Sequence, residues 1–287
     1  MHRASDLFME YEPADFRSPG ELEAGRPLRF PDPTPSSLEG FSVSAAESGE
    51  GGYHSLFCGS LWLEPPGERR RFIRALAHLL VRYRRRMSAP RTGPFLVCGV
   101  GNENAAADSL GPRAVSGVLA TDPLMREAGI PAVCTVRTGV PGHTGIDTAD
   151  LIGALAEKTG AALIVTVDAL CARTGTRLGT VAQITDCGLI PGSALHHSSG
   201  EISARTMPCP VLSVGIPTVV RASALNREED GRTGTAPQTE EEGRPFFVTR
   251  ADTDAMVACY ASLIARSLNA AFTGNPPEDV MDPPPGA

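Results

Sequence analysis

The strongest constraint on the fold is an alternation that begins at residue 95, where short apolar runs are separated by segments with helical spacing. FLVCGV (95–100), AVCTVRTGV (132–140), ALIVTVDAL (162–170), VAQITD (181–186) and PVLSVGIP (210–217) read as strands. SLGPRAVSGVLA (109–120), TADLIGALAEKTG (148–160) and TDAMVACYASLIARSLNAAF (253–272) place apolar residues three and four apart and read as helices. Pro112 is tolerable in a first turn, while Asp147 or Thr148 caps the second helix and Gly160 stops it. Strands that are apolar throughout have no face to offer water, so helices must cover the sheet on both sides. The expected class is therefore α/β, with a mostly parallel sheet and helices on both faces.

The amino-terminal region reads differently. Residues 1–52 are rich in Pro, Gly, Ser and Glu, and PDPTPSS and ESGEGG are loop signals, so this stretch is expected to be weakly structured. GSLWLEPPG (59–67) reads as a short strand ending in a turn. Phe72, Leu76, Leu79, Leu80, Tyr83 and Met87 then mark a helix, and SAPRTGP (88–94) a boundary. These signals divide the chain into a region 7–92, a core 93–275 and a disordered tail 276–287. The core carries a long, mobile, polar loop at 226–245.

Composition removes several function classes. The formal net charge of -7 argues against a chain-wide nucleic-acid binder but leaves room for a local basic patch. One such patch exists: ERRRFIRALAHLLVRYRRRM carries eight arginines, and its simpler reading is a solvated helix face. Seven scattered cysteines without a C-x-x-C pair suit a reducing compartment rather than a disulfide framework or zinc knuckle. The first residues lack a secretory signal's apolar core, and no apolar run appears long enough to span a bilayer, so a cytosolic-type protein is expected.

In open α/β sheets chemistry collects beyond the carboxyl ends of the strands. Asp108 follows strand 95–100 and Asp168 ends strand 162–167, with Glu103 and Asp186 as weaker candidates in similar settings. Two carboxylates brought together there can hold a water, one as base and the other donating a proton to the leaving amine. The bland alternative is that both acids merely cap local turns. Gly99-x-Gly101 is a weak dinucleotide signal, since Asn104 replaces the third glycine and no acid follows at the right distance. His143 is a candidate supporting residue and would serve as a ligand if a metal were used, a minor reading without H-E-x-x-H. Cys171 has no histidine at a spacing that marks a base, and serine has no G-x-S-x-G elbow.

Taken in order, GVGN (99–102) with ADSLGP (107–112), GVPGHTGIDTADLI (139–152), VDALCAR (167–173), QITDCGLIPGS (183–193) and VGIPTVV (214–220) resemble the germination protease (spore protease) family. The closing FVTRADTDAMV and IARSLNAAF are also similar, as is SDLFMEYE (5–12) to the family's propeptide cleavage region. The resemblance implies an atypical aspartic-type endopeptidase with Asp108 and Asp168 as catalytic acids. Its fold would be similar to the hydrogenase-maturation protease, or phosphorylase/hydrolase-like, fold. It further implies a cytoplasmic, spore-core protein without a cofactor, made as a zymogen and assembled as a tetramer. Small acid-soluble spore proteins would be its substrates, and residues 1–6 a propeptide cut between Asp6 and Leu7. Neither a membrane nor direct nucleic-acid binding is required. Three departures bear on substrate preference. Ala106-Ala107 stands where the family has Thr-Pro, Gly192–His197 where it has G-S-G-V-G-N, and Arg221 where it has an acid. Two alternatives remain: a maturation-type endopeptidase using Glu103, His143 and an Asp to sense a metal on its substrate, and a non-catalytic relative that binds spore proteins.

Overall fold

A computed structural model of the chain describes residues 38, 41–48, 51–122, 130–193, 200–222, 225 and 246–273. The Asp6–Leu7 bond, the 226–245 segment, the 276–287 tail and the His196-His197 pair lie outside the described residues. In chain order the elements are β1 (Ser42–Ser48), β2 (Gly51–Phe57), α1 (Pro66–Arg86), β3 (Phe95–Val100), α2 (Leu110–Ser116), β4 (Val133–Gly139), the single-turn α3 (Pro141–Thr144) and α4 (Thr148–Thr159). They continue with β5 (Leu163–Ala172), β6 (Val181–Thr185), β7 (Val211–Arg221), β8 (Phe247–Val248) and α5 (Thr253–Phe272).

The strands form one sheet in the order β1-β2-β6-β7-β5-β3-β4, with β8 also pairing β7. β4, β3, β5 and β7 run parallel to one another, whereas β6, β2, β1 and β8 join through antiparallel ladders. The sheet is thus mixed, which corrects the expectation of a mostly parallel one. An apolar run reveals burial but not direction, and the link 173–180 is too short for the helical crossover that a parallel return needs.

Two amino-terminal expectations also change. ESGEGG reads as a loop, yet Glu47-Ser48 end β1 and Gly51-Gly52 begin β2, two antiparallel strands whose ladder runs from Ser42↔Phe57 to Ser48↔Gly51. GSLWLEPPG is not a strand: it is a run of turns after β2, and the indole of Trp62 leaves it to donate to Asp252 Oδ2 at 2.8 Å. β2 pairs with β6 and α1 packs against α5, so both amino-terminal elements share the sheet and core of the later ones.

Side chains alternate between the two sheet faces. Phe95, Val97, Leu163, Val165, Val167, Ala182, Ile184, Leu212 and Val214 meet α1, α2 and α5 on one face. Leu96, Cys98, Val100, Ile164 and Val211 share the other face with Ala149, Ile152 and Ala156 of α4. Helices therefore cover both faces, as expected. By length and composition α5 would suffice to cross a bilayer, which the reading of apolar runs overlooked. Here Met256, Tyr260, Ile264 and Leu268 of α5 are buried in the core. Covering is incomplete on the α4 face, and strand alternation puts Thr166, Asp168, Gln183, Thr185 and Ser213 there. Among the described residues, α4 packs against β3 and β4, and these polar side chains stand on β5, β6 and β7.

Candidate active site

The first carboxylate is held by the turn that follows β3. Gly101 sits at φ +117, a conformation open to glycine, and a Cβ there would collide with the carbonyl and carboxylate of Asp108. The chain then makes a 3-10 turn over Ala106–Asp108, and Asp108 Oδ2 accepts a 2.7 Å hydrogen bond from the Asn102 N–H. Directly afterwards α2 presses onto the strand ends: a Cβ on Gly111 would run into the carbonyl oxygens of Val100 and Val167. The glycines of the G-x-G stretch thus serve close packing around Asp108 and α2.

The second carboxylate comes from β5. Asp168 stands opposite Gly215 of β7 in the parallel ladder, and its Oδ1 accepts from the Ala169 N–H at 2.8 Å. Asp108 and Asp168 line the same cavity, of about 520 Å³, although they belong to different elements. Its walls include Gln183 and Thr185 from β6, Ser213 and Thr218 from β7, and Glu201 with Arg205. Arg205 pairs with Glu201 at 2.6 Å, so this wall holds both signs of charge. Burial pushes the Asp108 carboxyl up to about 6, a rise that the Asn102 N–H partly opposes by stabilising the anion.

The three candidate supporting residues stand apart from the cavity lining. Glu103 is exposed and pairs with Arg137 at 3.0 Å. His143 is exposed on α3. Asp186 accepts from the Gly52 N–H at 2.6 Å and pairs with Arg86 at 3.4 Å, which ties β2 to the end of α1. Among the described residues no three His, Cys, Asp or Glu side chains gather as a metal ion would need. Cys171 does line the cavity, as does Cys187.

Sequence reasoning missed the polar wall. Gln183 inside VAQIT and Ser213 inside VLSVG interrupt otherwise apolar strands, and each interruption was a legible sign of a strand face left uncovered. Glu201 and Arg205 gave no comparable signal, because they lie in an irregular polar segment. Thr218 is buried and lines the cavity, and its hydroxyl has no hydrogen-bond partner among the described residues.

Comparison with known proteins gives a consistent family. A family model described as germination protease matches residues 48–230. The chain is 37% identical over 150 residues to a germination protease of Geobacillus sp. (strain WCH70), covering 50% of this chain and 40% of that protein. It is 39% identical over 139 residues to those of Bacillus cereus (strain G9842) and Bacillus mycoides (strain KBAB4), covering 46% of this chain and 38% of each. The matched stretch thus spans about two fifths of the length of these curated relatives.

Proposed function

The chain belongs to the germination protease family, and on that footing we propose that it is an endopeptidase whose attacking water is activated between Asp108 and Asp168. One observation carries the reading: two carboxylates from separate elements line one cavity. Asp108, with its pKa raised by burial, is the member suited to hold a proton at mildly acid pH. It donates that proton to the nitrogen of the leaving amine. Asp168 takes the proton released as water attacks the carbonyl carbon. The peptide C–N bond breaks, the new acid keeps the water oxygen, and both carboxyl groups return to their starting states through solvent.

The substrates proposed are small acid-soluble spore proteins, cleaved in the spore core when the spore germinates. The protein would be made as a zymogen, work as a homotetramer, and lose residues 1–6 by its own cut at Asp6–Leu7. Backbone that is extended and unpaired is what a protease cleft can bind. Mass spectrometry of protein held under activating conditions is expected to show a new terminus at Leu7, absent in Asp168→Asn. An equal yield of that terminus in Asp168→Asn would assign the cut to another protease.

Carboxylate activation needs no metal, so the purified protein is expected to cleave a small acid-soluble spore protein as fast after exhaustive chelation as before. Activity lost on chelation and restored by one metal would favour the maturation-type alternative and return His143 to the site. No cleavage at all, by a processed and folded chain, would favour the non-catalytic relative.

A further inference from the structure

Helix α1 holds eight of the chain's twenty-five arginines and one acid, Glu68, within a protein whose net charge is -7. Four of the eight have evident structural tasks. Arg69 donates to the carbonyls of Leu61 and Trp62, Arg71 pairs with Glu68 at 2.6 Å, Arg84 donates to the carbonyl of Ala89, and Arg86 pairs with Asp186. The other four share one side with Arg71. At about 100° per residue, Arg70, Arg71, Arg74, Arg82 and Arg85 fall within an arc of about 120°, joined there by Val81 and His78. Arg70, Arg74 and Arg85 are exposed, whereas the opposite side, with Phe72, Leu76, Leu79, Leu80 and Tyr83, is buried in the core. The basic residues follow the helix axis over about 22 Å, at steps of about 6 Å where they are four apart.

Like charges at that spacing repel along a helix, a cost that the Arg71–Glu68 pair offsets at one end and that an anionic partner along the stripe would relieve further. We infer that this stripe docks the phosphate backbone of a nucleic acid. A linear row of guanidinium groups suits a linear row of phosphates, because each fork binds phosphate oxygens in bidentate fashion. A protein partner fits less well, since interface cores are depleted of charge and rich in apolar anchors, and this arc offers Val81 alone. A lipid surface fits less well too: the apolar side of α1 is already buried and has none to insert. The arc holds no aromatic platform for stacking bases, so recognition is of the backbone and independent of sequence. α1 covers the opposite sheet face from the one bearing Asp168, and a docked duplex leaves the cavity open.

The test uses the full chain and a fluorescein-labelled duplex of mixed sequence about two helical turns long, read by anisotropy. Binding is expected, with affinity falling some tens- to hundreds-fold between about 50 and 200 mM salt for three to five phosphate contacts. The triple variant Arg70→Gln, Arg74→Gln, Arg85→Gln should keep the parent's circular dichroism and melting temperature while its salt slope becomes shallower by about three. Lys158→Gln, which removes an exposed charge on α4, should bind as the parent does. No binding by the parent at low salt, or equal binding by the triple variant, overturns the inference. So do three other results: displacement of the duplex by polyglutamate as readily as by DNA of equal charge, preferential capture by anionic vesicles, and a parent that binds no duplex but changes oligomeric state with the triple substitution.

Discussion

Asp108→Asn and Asp168→Asn are each expected to fold and to lose about two to four orders of magnitude of peptidase turnover, the usual weight of a positioned acid or base. Asn keeps the shape of Asp and its acceptor oxygen, so the bonds from the Asn102 and Ala169 N–H groups survive. What disappears is the ability to take or give a proton. The Asp108 variant carries a second signature. An aspartyl group ordinarily titrates near 3.8, and burial in the folded protein moves Asp108 to about 6. Between those values the native state binds more protons than the unfolded one, so stability falls as pH rises from about 4 to about 6. Above that window the ionised, buried carboxylate costs about 2–3 kcal/mol. Asn carries no such charge. Asp108→Asn should therefore melt higher than the parent at pH 7, with the difference shrinking towards pH 4, and the parent's turnover should decline above about pH 6 as the donor proton is lost. Thermal melts and pH–rate profiles of the same preparations check both. Near-normal turnover in either folded variant would remove the dyad, and an Asp108→Asn protein less stable than the parent at pH 7 would remove the burial argument.

The legible parts of the fold were those in which one physical cause dominates. Phe95–Val100 and Thr253–Phe272 match their sequence readings residue for residue, because an unbroken apolar run and a sustained helical spacing each admit one local structure. The N-cap at Asp147, whose side chain accepts from the Ala149 N–H, and the left-handed Gly160 likewise follow from local chemistry. The β1–β2 hairpin was not legible, because Ser42–Ser48 and Gly51–Phe57 owe their strand state to pairing with each other and with β6 rather than to propensity. Strand direction was hidden for the same reason: it is a property of the connection, and Val181–Thr185 looks the same either way round. Of the site, the strand-end rule pointed to Asp108 and Asp168, and both line one cavity. The polar wall that faces them depends on α4 covering one half of the sheet face and leaving the other open, which no local pattern records.

The same cavity depends on a contact far less tolerant than either acid. In Gly111→Ala the new methyl would lie well inside van der Waals distance of the Val100 and Val167 carbonyl oxygens. Both are strand backbone in the middle of the sheet and cannot swing aside as a side chain does, so α2 must lift from the strand ends. Ala is intrinsically the better helix former by about 1 kcal/mol, and overpacking a core position costs about 1–3 kcal/mol or more, so the clash wins. Gly153 supplies the contrast: it lies within α4, and a Cβ there meets only the Met207 sulfur, at 3.8 Å. Gly153→Ala should thus gain up to about 1 kcal/mol, whereas Gly111→Ala, at the upper end of the clash cost and net of that gain, should lose about 2 kcal/mol in urea melts. The loss of activity should exceed what unfolding explains. Asp108 lies only three residues before Gly111, and Ser109 between them is fully buried, so a lifted α2 carries the carboxylate with it. A displacement of about 1 Å in a catalytic group costs on the order of a hundredfold in rate, even in molecules that remain folded. Turnover per folded molecule, measured well below the melting temperature, should therefore fall about a hundredfold in Gly111→Ala and stay at the parent's level in Gly153→Ala. Parental stability in Gly111→Ala would mean that α2 does not rest on the strand ends, and the packing that holds Asp108 in the cavity wall would need another cause.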